Sequence, residues 1–402
     1  MSADFFMPIY ALYMHTKLHF KLSRFYFIYY FFVGAFVPYW GLYLKSEQFS
    51  PADIGILMSL FQISRIFAPN FWGWLADHTG KRAQWIKLTA FLGLCGFTAV
   101  FWAHGFYWLF FVMAALSLFT SSTLPLAESL TLAHLATTNG HYSRIRMWGS
   151  LGFIVAAVVL GFCIDFSGIR SLLWFLLFVQ MTLFVLSFGL PEANVAAHEH
   201  DEYSIWQLMR QPNVMALLLG CALMVTAHGV LYNFYSIYLS DHGYSKTVIG
   251  LLWAVGVVCE IAVFMAMPKI MARFSLKAIL LVSLALAVLR FSLIGWAIDS
   301  WPIMLLAQTL HAATFGSFHA ASVEVIARFF NGRHQAKGQA IYNSVAYGIG
   351  GTLGGVAGGY ALQYLGGQHT FMLAAVFPLL GFLVIALGLK LSAQQHQRGL
   401  FG

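Results

Sequence analysis

"GAFVPYWGLYLKSEQFSPADIGIL" (Gly34–Leu57) lies over "GVLYNFYSIYLSDHGYSKTVIGLL" (Gly229–Leu252) without a gap. Gly, Tyr-Leu, Ser, Ile-Gly and Leu recur in register. Each stretch is an apolar run, a short polar turn and the start of a second apolar run. A unit of this kind that returns half a chain later marks two like halves. The register also sets Arg65 opposite Glu260.

The composition says what the halves are made of. Of 402 residues, 60% are hydrophobic and 9% charged, where an ordinary soluble domain is about a quarter charged. The chain therefore reads as an all-α membrane protein. A membrane span needs about 20 apolar residues. Breaks at Gly, Pro and charge clusters predict twelve transmembrane helices, at 24–45, 52–75, 84–104, 107–133, 146–165, 170–190, 214–239, 247–271, 277–298, 301–329, 337–365 and 370–392. They form two pseudo-symmetric six-helix halves, 1–190 and 214–402, joined by a central loop, 191–213.

A net charge of +8 could suggest a nucleic-acid partner, but the positions of the charges argue against one. Lys17, Lys21 and Arg24 precede the first span, and Lys81, Arg82 and Lys87 fall at the second loop. Arg144, Arg146, Arg210, Lys269, Arg273, Lys277, Arg328, Arg333, Lys337, Lys390 and Arg398 follow on the same side. The opposite loops carry only Lys45, Arg170 and Lys246. Basic loops stay in the cytoplasm, so both termini and the central loop are expected there. The first residues show no cleavage site of a secretory signal, and Met14 is a second possible start.

Metal and disulfide chemistry find little support. Cys95, Cys163, Cys221 and Cys259 sit singly in apolar runs. His198, Glu199, His200, Asp201 and Glu202 lack a helical ligand spacing and read as a solvated linker. HExxH, GxSxG and GxxxxGK[ST] do not occur, so a membrane-embedded enzyme is the weaker class. No metal or cofactor is expected. Gly350, Gly354 and Gly358 form one ridge and Gly351, Gly355 and Gly359 a second, which lets helices pack closely.

The informative residues are the charges inside the spans. Such groups are costly in lipid and face a partner or a wet cavity. Residues equally far from a hairpin turn lie at equal depth. Glu260 is fifteen before Ser275 and Arg290 fifteen after it, and the next turn, at Ser300–Trp301, sets Arg290 level with His311. These three are the expected proton-coupling set, with structural ion pairs that orient the helices as the alternative. Burial favours the protonated carboxyl and a neighbouring guanidinium the ionised one, and a coupling site needs both in turn. Glu128 and Arg146 are level about Thr137, with Arg144 half a turn away, and Arg65 is at the middle of its span.

"GWLADHTGKR" (Gly73–Arg82) resembles the second-loop motif of the major facilitator superfamily, with Gly73, Asp77, Gly80, Lys81 and Arg82 matching in kind and His78 in place of Arg. "RIRMWGSLGF" (Arg144–Phe153), "SKTVIGLLWAVGVVCEIAVF" and "LHAATFGSFHAA" (Leu310–Ala321) look like the 3-phenylpropionate permease branch, which is related to the lactose permease and the nucleoside symporters. The resemblance implies proton-coupled uptake by alternating access, driven by the proton gradient, in a monomer of the bacterial inner membrane. It makes Gly73–Arg82 a gating motif and assigns roles to Glu128, Arg144, Arg146, Arg290 and His311. The lactose permease has a glutamate where Thr314 stands and a sugar-stacking tryptophan where Phe153 stands, which leaves Glu260 as the preferred proton carrier. Arg65, Glu128, Arg144, Arg146, Phe153 and Tyr232 are the expected substrate-binding residues. The surplus of arginine suits an anion, and Phe36, Tyr39, Phe153, Tyr232 and Tyr235 could clasp a ring. A small aromatic carboxylate is the first expectation; a sugar or nucleoside is the alternative, with an exported drug-like molecule behind them.

Overall fold

In the computed structural model, residues 3–136, 141–193, 205–330 and 334–390 are described. The His198–Glu202 cluster, the Thr137 turn, Arg333 and Arg398 lie outside them. Helices account for nearly all of the described chain. They are α1 (Ala3–Ser46), α2 (Pro51–Thr79), α3 (Arg82–Ala99), α4 (Phe106–Leu135), α5 (Tyr142–Ser167), α6 (Ser171–Ser187), α7 (Pro212–Asp241), α8 (Lys246–Arg273) and α9 (Leu276–Trp296). The tenth pass, α10, is interrupted: Trp301–Thr309, a π-helical turn Ala312–Ser317, then Phe318–Phe329. The eleventh, α11, starts with Gln335–Tyr342 and a second π turn, Asn343–Gly350, and runs into Gly351–Gly388. That last helix breaks at Gly366, where φ is +76°, a value that favours glycine. The break separates α11 from α12.

Among the described residues, nine helices are long and apolar enough to cross a membrane. The break at Gly366 divides one of them, Lys337–Gly388, into two passes. With α6, a 17-residue apolar helix, and the interrupted α10, twelve passes result. The protein is a multi-pass, all-α membrane protein.

The sequence repeat reappears as local structure. Ser50 Oγ accepts from the Asp53 amide at 3.2 Å and so caps α2. Ser245 Oγ accepts from the Val248 amide at 3.3 Å and caps α8 in the same way. Serine is favoured there because a helix leaves its first amides without partners. Ser275 repeats the device on α9, accepting from Ala278 at 3.2 Å.

The chain forms two compact units. One holds Met1–Phe36 and Phe67–His198; the other holds Val37–Ile66 and Glu199–Gly402. The second unit thus takes in the ends of α1 and α2 that meet at their turn. Within the first unit, Tyr26, Trp72, Leu126, Leu130, Ile145 and Leu183 are buried together. α1 and α5 meet almost backbone to backbone, since a Cβ on Gly152 would strike the Phe27 carbonyl and one on Gly34 the Phe153 backbone.

Within the second unit α7 is the buried centre, with most of its residues shielded. The two glycine ridges of α11 serve different neighbours. Gly350 and Gly354 rest on Ala222 and Thr226 of α7, while Gly355 and Gly359 rest on the start of α2, at Gly55, Ser59 and Pro51. Lys45 pairs with Asp241, and the Tyr39 hydroxyl donates to the Lys246 carbonyl at 3.1 Å.

One tie in the first unit links distant sequence. The Glu192 carboxylate accepts from the Ala83 and Gln84 amides, both at 2.9 Å, and so caps α3. A carboxylate at a helix N-terminus also meets the positive end of the helix dipole. Glu192→Ala is expected to cost about 1 kcal/mol. Hydrogen exchange at these two amides checks it: their protection should fall while that of the α4 core stays unchanged.

Candidate functional site

The strongest cluster of polar side chains is in the second unit, and Arg290 of α9 is its centre. Its side chain is wholly buried. A guanidinium has donors only, so everything it meets must accept. Nε donates to the Ala307 carbonyl at 2.8 Å, and Nη2 to Gln308 Oε1 at 3.4 Å. Nη1 donates to Thr314 Oγ1 at 3.2 Å, and faces His311 Nδ1 at 3.0 Å and His228 Nε2 at 3.5 Å. Arg290 is therefore a closed part of the site, and no substrate reaches it in this conformation.

These partners settle both imidazoles. His311 Nδ1 faces a donor and must present its lone pair. Its ring proton then sits on Nε2, which points at Glu260 Oε2, 3.6 Å away. His228 Nδ1 faces the Met224 carbonyl at 3.0 Å and must carry a proton. Its Nε2 lone pair is thus left for Arg290. The two histidines are neutral, of opposite tautomer, and share one guanidinium nitrogen. A second proton on His311 would need Nδ1, where an Arg290 N–H already points.

Glu260 is the accessible end of this chain, with 19% of its side chain exposed against 7% for His311. The gap of 3.6 Å is longer than a hydrogen bond, so the pair is in electrostatic contact and closes with a shift of under about 1 Å. Gly256 and Gly316 make the room: a Cβ on Gly256 would lie 3.4 Å from His311, and one on Gly316 would lie 3.3 Å from Glu260 Cγ. Gly316 belongs to the π turn, and such turns often mark functional sites.

An aromatic ladder continues along α10. His311 stacks on Phe315 at 5.3 Å and Phe315 on His319 at 5.9 Å, nearly parallel in both cases. His319 Nδ1 lies 3.0 Å from both the Tyr342 and the Tyr347 hydroxyl. Tyr232 covers the site, half-buried, with its ring 6.0 Å from Trp253 and 6.4 Å from His311. Arg65 is exposed in the same unit and acts electrostatically on Tyr232 and Tyr347.

Glu260, Arg290 and His311 are thus brought together, with His311 standing between the other two. His228, Gln308 and Thr314 complete the group and were not in the expected set. Of the aromatic residues expected to clasp a ring, Phe36, Tyr39 and Tyr235 are buried in packing. Tyr232 and Phe153 remain half-buried.

In the first unit Glu128 accepts from the Tyr142 hydroxyl at 2.9 Å. The Arg146 guanidinium lies over the Tyr30 ring at 4.0 Å, close enough to act on Glu128 electrostatically. Arg144 is exposed, and Phe153 belongs to the α1–α5 crossing. In the motif, Gly80 turns the chain with φ of +67°. Asp77 pairs with Arg82 at 2.5 Å; in the sequence Gly73 precedes the pair and Lys81 lies between its members. Among the described residues no group of three or more His, Cys, Asp or Glu could hold a metal ion.

Residues 19–373 match the family described as MFS_1 like family. A probable 3-phenylpropionic acid transporter of Escherichia coli (strain K12) is 29% identical over 357 residues, covering 87% of this chain and 93% of that protein. A maltose permease of Geobacillus stearothermophilus is 26% identical over 368 residues, covering 90% and 92%. The crystal structure of the nucleoside transporter NupG superposes with a TM-score of 0.82 at 17% identity, covering 93% of this chain and 100% of that one. At that identity the likeness is one of fold.

Proposed function

The chain belongs to the MFS_1-like family, and from that premise we propose that it is a proton-coupled importer of a small aromatic carboxylate such as 3-phenylpropionate. Its relatives are transporters rather than enzymes, and the protein is a transporter of the major facilitator type. Direction, coupling ion and substrate are our reading.

One observation carries the coupling: Arg290, His311 and Glu260 form a single chain with only its carboxylate end accessible. Glu260 takes a proton from the outer side, which removes a negative charge from the membrane interior. The protein binds substrate, changes conformation and releases both inward. Arg290 keeps its five partners throughout, so His311 stays fixed as a donor aimed at Glu260. The machinery needs no cofactor beyond the proton gradient, and one chain is the working unit. The basic loops support an inner-membrane location with both termini in the cytoplasm.

The carboxylate substrate draws on Arg65, exposed in the second unit, with Tyr232 of the same unit offering a ring surface. It also draws on the phenylpropionic acid relative. The second reading, a sugar or a nucleoside, is supported by the maltose permease and the nucleoside relatives.

Coupling arithmetic separates these readings. A monoanion carried with one proton moves no net charge. Its accumulation follows the pH gradient alone, about tenfold per pH unit. A neutral sugar carried with one proton also responds to the membrane potential, at about 2.3 kcal/mol per 100 mV. Purified protein in vesicles should concentrate 3-phenylpropionate about tenfold under a gradient of about one unit, acidic outside. Valinomycin and potassium should leave that ratio unchanged. Uptake of maltose or a nucleoside in its place, stimulated by an inside-negative potential, would overturn the carboxylate reading.

A further inference from the structure

We propose that a cleft at the motif end of the first unit is a binding site for an anionic glycerophospholipid. The cleft, of about 630 Å³, opens between α3 and α6. Lys81, Gln84 and Lys87 form its polar mouth, and Leu88, Phe91 and Phe184 its wall. The Phe91 and Phe184 rings are 5.4 Å apart, which makes the wall continuous.

The cleft is graded along α3. Lys81 precedes the helix, while Phe91 is ten residues further on, about 15 Å deeper by helical rise. That is the order of a lipid: charge at the interface, acyl chain below it. Lys87 starts within the apolar zone, and its long stem lets the ammonium reach the headgroup level. Its Nζ lies 5.8 Å from the centre of the Phe188 ring, so aromatic surface already flanks the charge. Trp85 borders the mouth and is held by its indole N–H, which donates to Thr79 Oγ1 at 2.7 Å.

Charge decides the occupant. The nearby carboxylates are already engaged, Asp77 by Arg82 and Glu192 by the α3 amides. Among the described residues neither Lys81 nor Lys87 meets a carboxylate. Two ammonium groups over an apolar wall suit a phosphodiester carrying acyl chains, and basic pockets between transmembrane helices bind such headgroups. A zwitterionic lipid would bring its own cation to the same mouth.

Native mass spectrometry of the full chain tests this, with phosphatidylglycerol and phosphatidylcholine of the same acyl chains. Wild type should retain phosphatidylglycerol in preference. Lys87→Gln, which leaves the motif lysine in place, should weaken it about fivefold, and Lys81→Gln/Lys87→Gln about thirtyfold. Lys269→Gln/Arg273→Gln removes the same charge from the basic C-terminal end of α8 in the other unit and should keep the preference. Glycerol 3-phosphate at equal concentration should not displace the lipid, because it lacks the apolar half of the contact. The proposal fails if wild type shows no preference, if the cleft variants keep it, if the control loses as much, or if glycerol phosphate displaces the lipid.

Discussion

Replacing Glu260 with glutamine brings proton-driven accumulation down to the equilibrium ratio, while exchange of substrate across the membrane continues. The substitution keeps the size of the side chain and an oxygen that can accept from His311 Nε2. What it removes is the exchangeable proton. Glu260 is the accessible member of its chain, 3.6 Å from an imidazole whose other nitrogen is occupied by Arg290. If it carries the one proton per cycle, the tenfold gain per pH unit disappears and the ratio falls to about one. Exchange needs no net proton movement, so it survives. The measurement is paired: accumulation under an imposed pH gradient, and counterflow without one. Vesicles bearing Glu260→Gln that still concentrate substrate as wild type does would place the carrier elsewhere. Glu128 of the first unit is the natural second choice, and Glu128→Gln in the same assay identifies it.

Much of this site could be read from hairpin geometry, because depth in a membrane helix is a matter of counting. Equal spacing about Ser275 and Ser300 placed Glu260, Arg290 and His311 in one layer, and the folded chain joins them by side-chain contacts. The same count was available for His228. Glu260 is seventeen residues after Gly243 and position 226 is seventeen before it, so His228 lies about half a turn from that layer. Counting gives depth and not direction, however. Which face α7 turns to α9 depends on packing between helices that are not sequence neighbours. The two π turns left no sign in the sequence, since a π turn changes the hydrogen-bonding register and not the composition. Glu192 capping α3 across 109 residues is equally invisible to local patterns. The aromatic residues show the limit from the other side. Tyr39 and Tyr235 have the same chemistry as Tyr232, yet both are fully buried, and only the assembled helices distinguish them.

Gly354→Ala is expected to damage the second unit severely, and Gly354→Leu to yield no folded protein. Ala is a better helix former than Gly by about 1 kcal/mol, so a glycine of an uncrowded helix would gain from the change. Gly354 is not in that position. A Cβ there would strike the Thr226 carbonyl and would lie 2.9 Å from its carbon and 3.0 Å from Gly229 Cα. All of these are backbone atoms of α7, which cannot rotate away. Relief requires separating α11 from the buried centre of the second unit. Overpacking of this kind costs about 1–3 kcal/mol or more, and close small-residue contact is a main source of helix association where lipid is as apolar as the side chains. Gly358 on the same ridge is the internal comparison. The nearest atoms to its Cβ would be side-chain atoms of Val230 and Phe234, both at 3.1 Å, which can shift by the few tenths of an ångström needed. The two alanine variants should therefore separate in a thermal melt followed by size-exclusion chromatography in detergent. Gly354→Ala should lose monodisperse protein at a clearly lower temperature, and Gly358→Ala should stay near wild type. A Gly354→Ala protein that melts at or above wild type would mean that α7 and α11 do not meet at this seam, and the placement of the whole second unit about α7 would have to be redrawn.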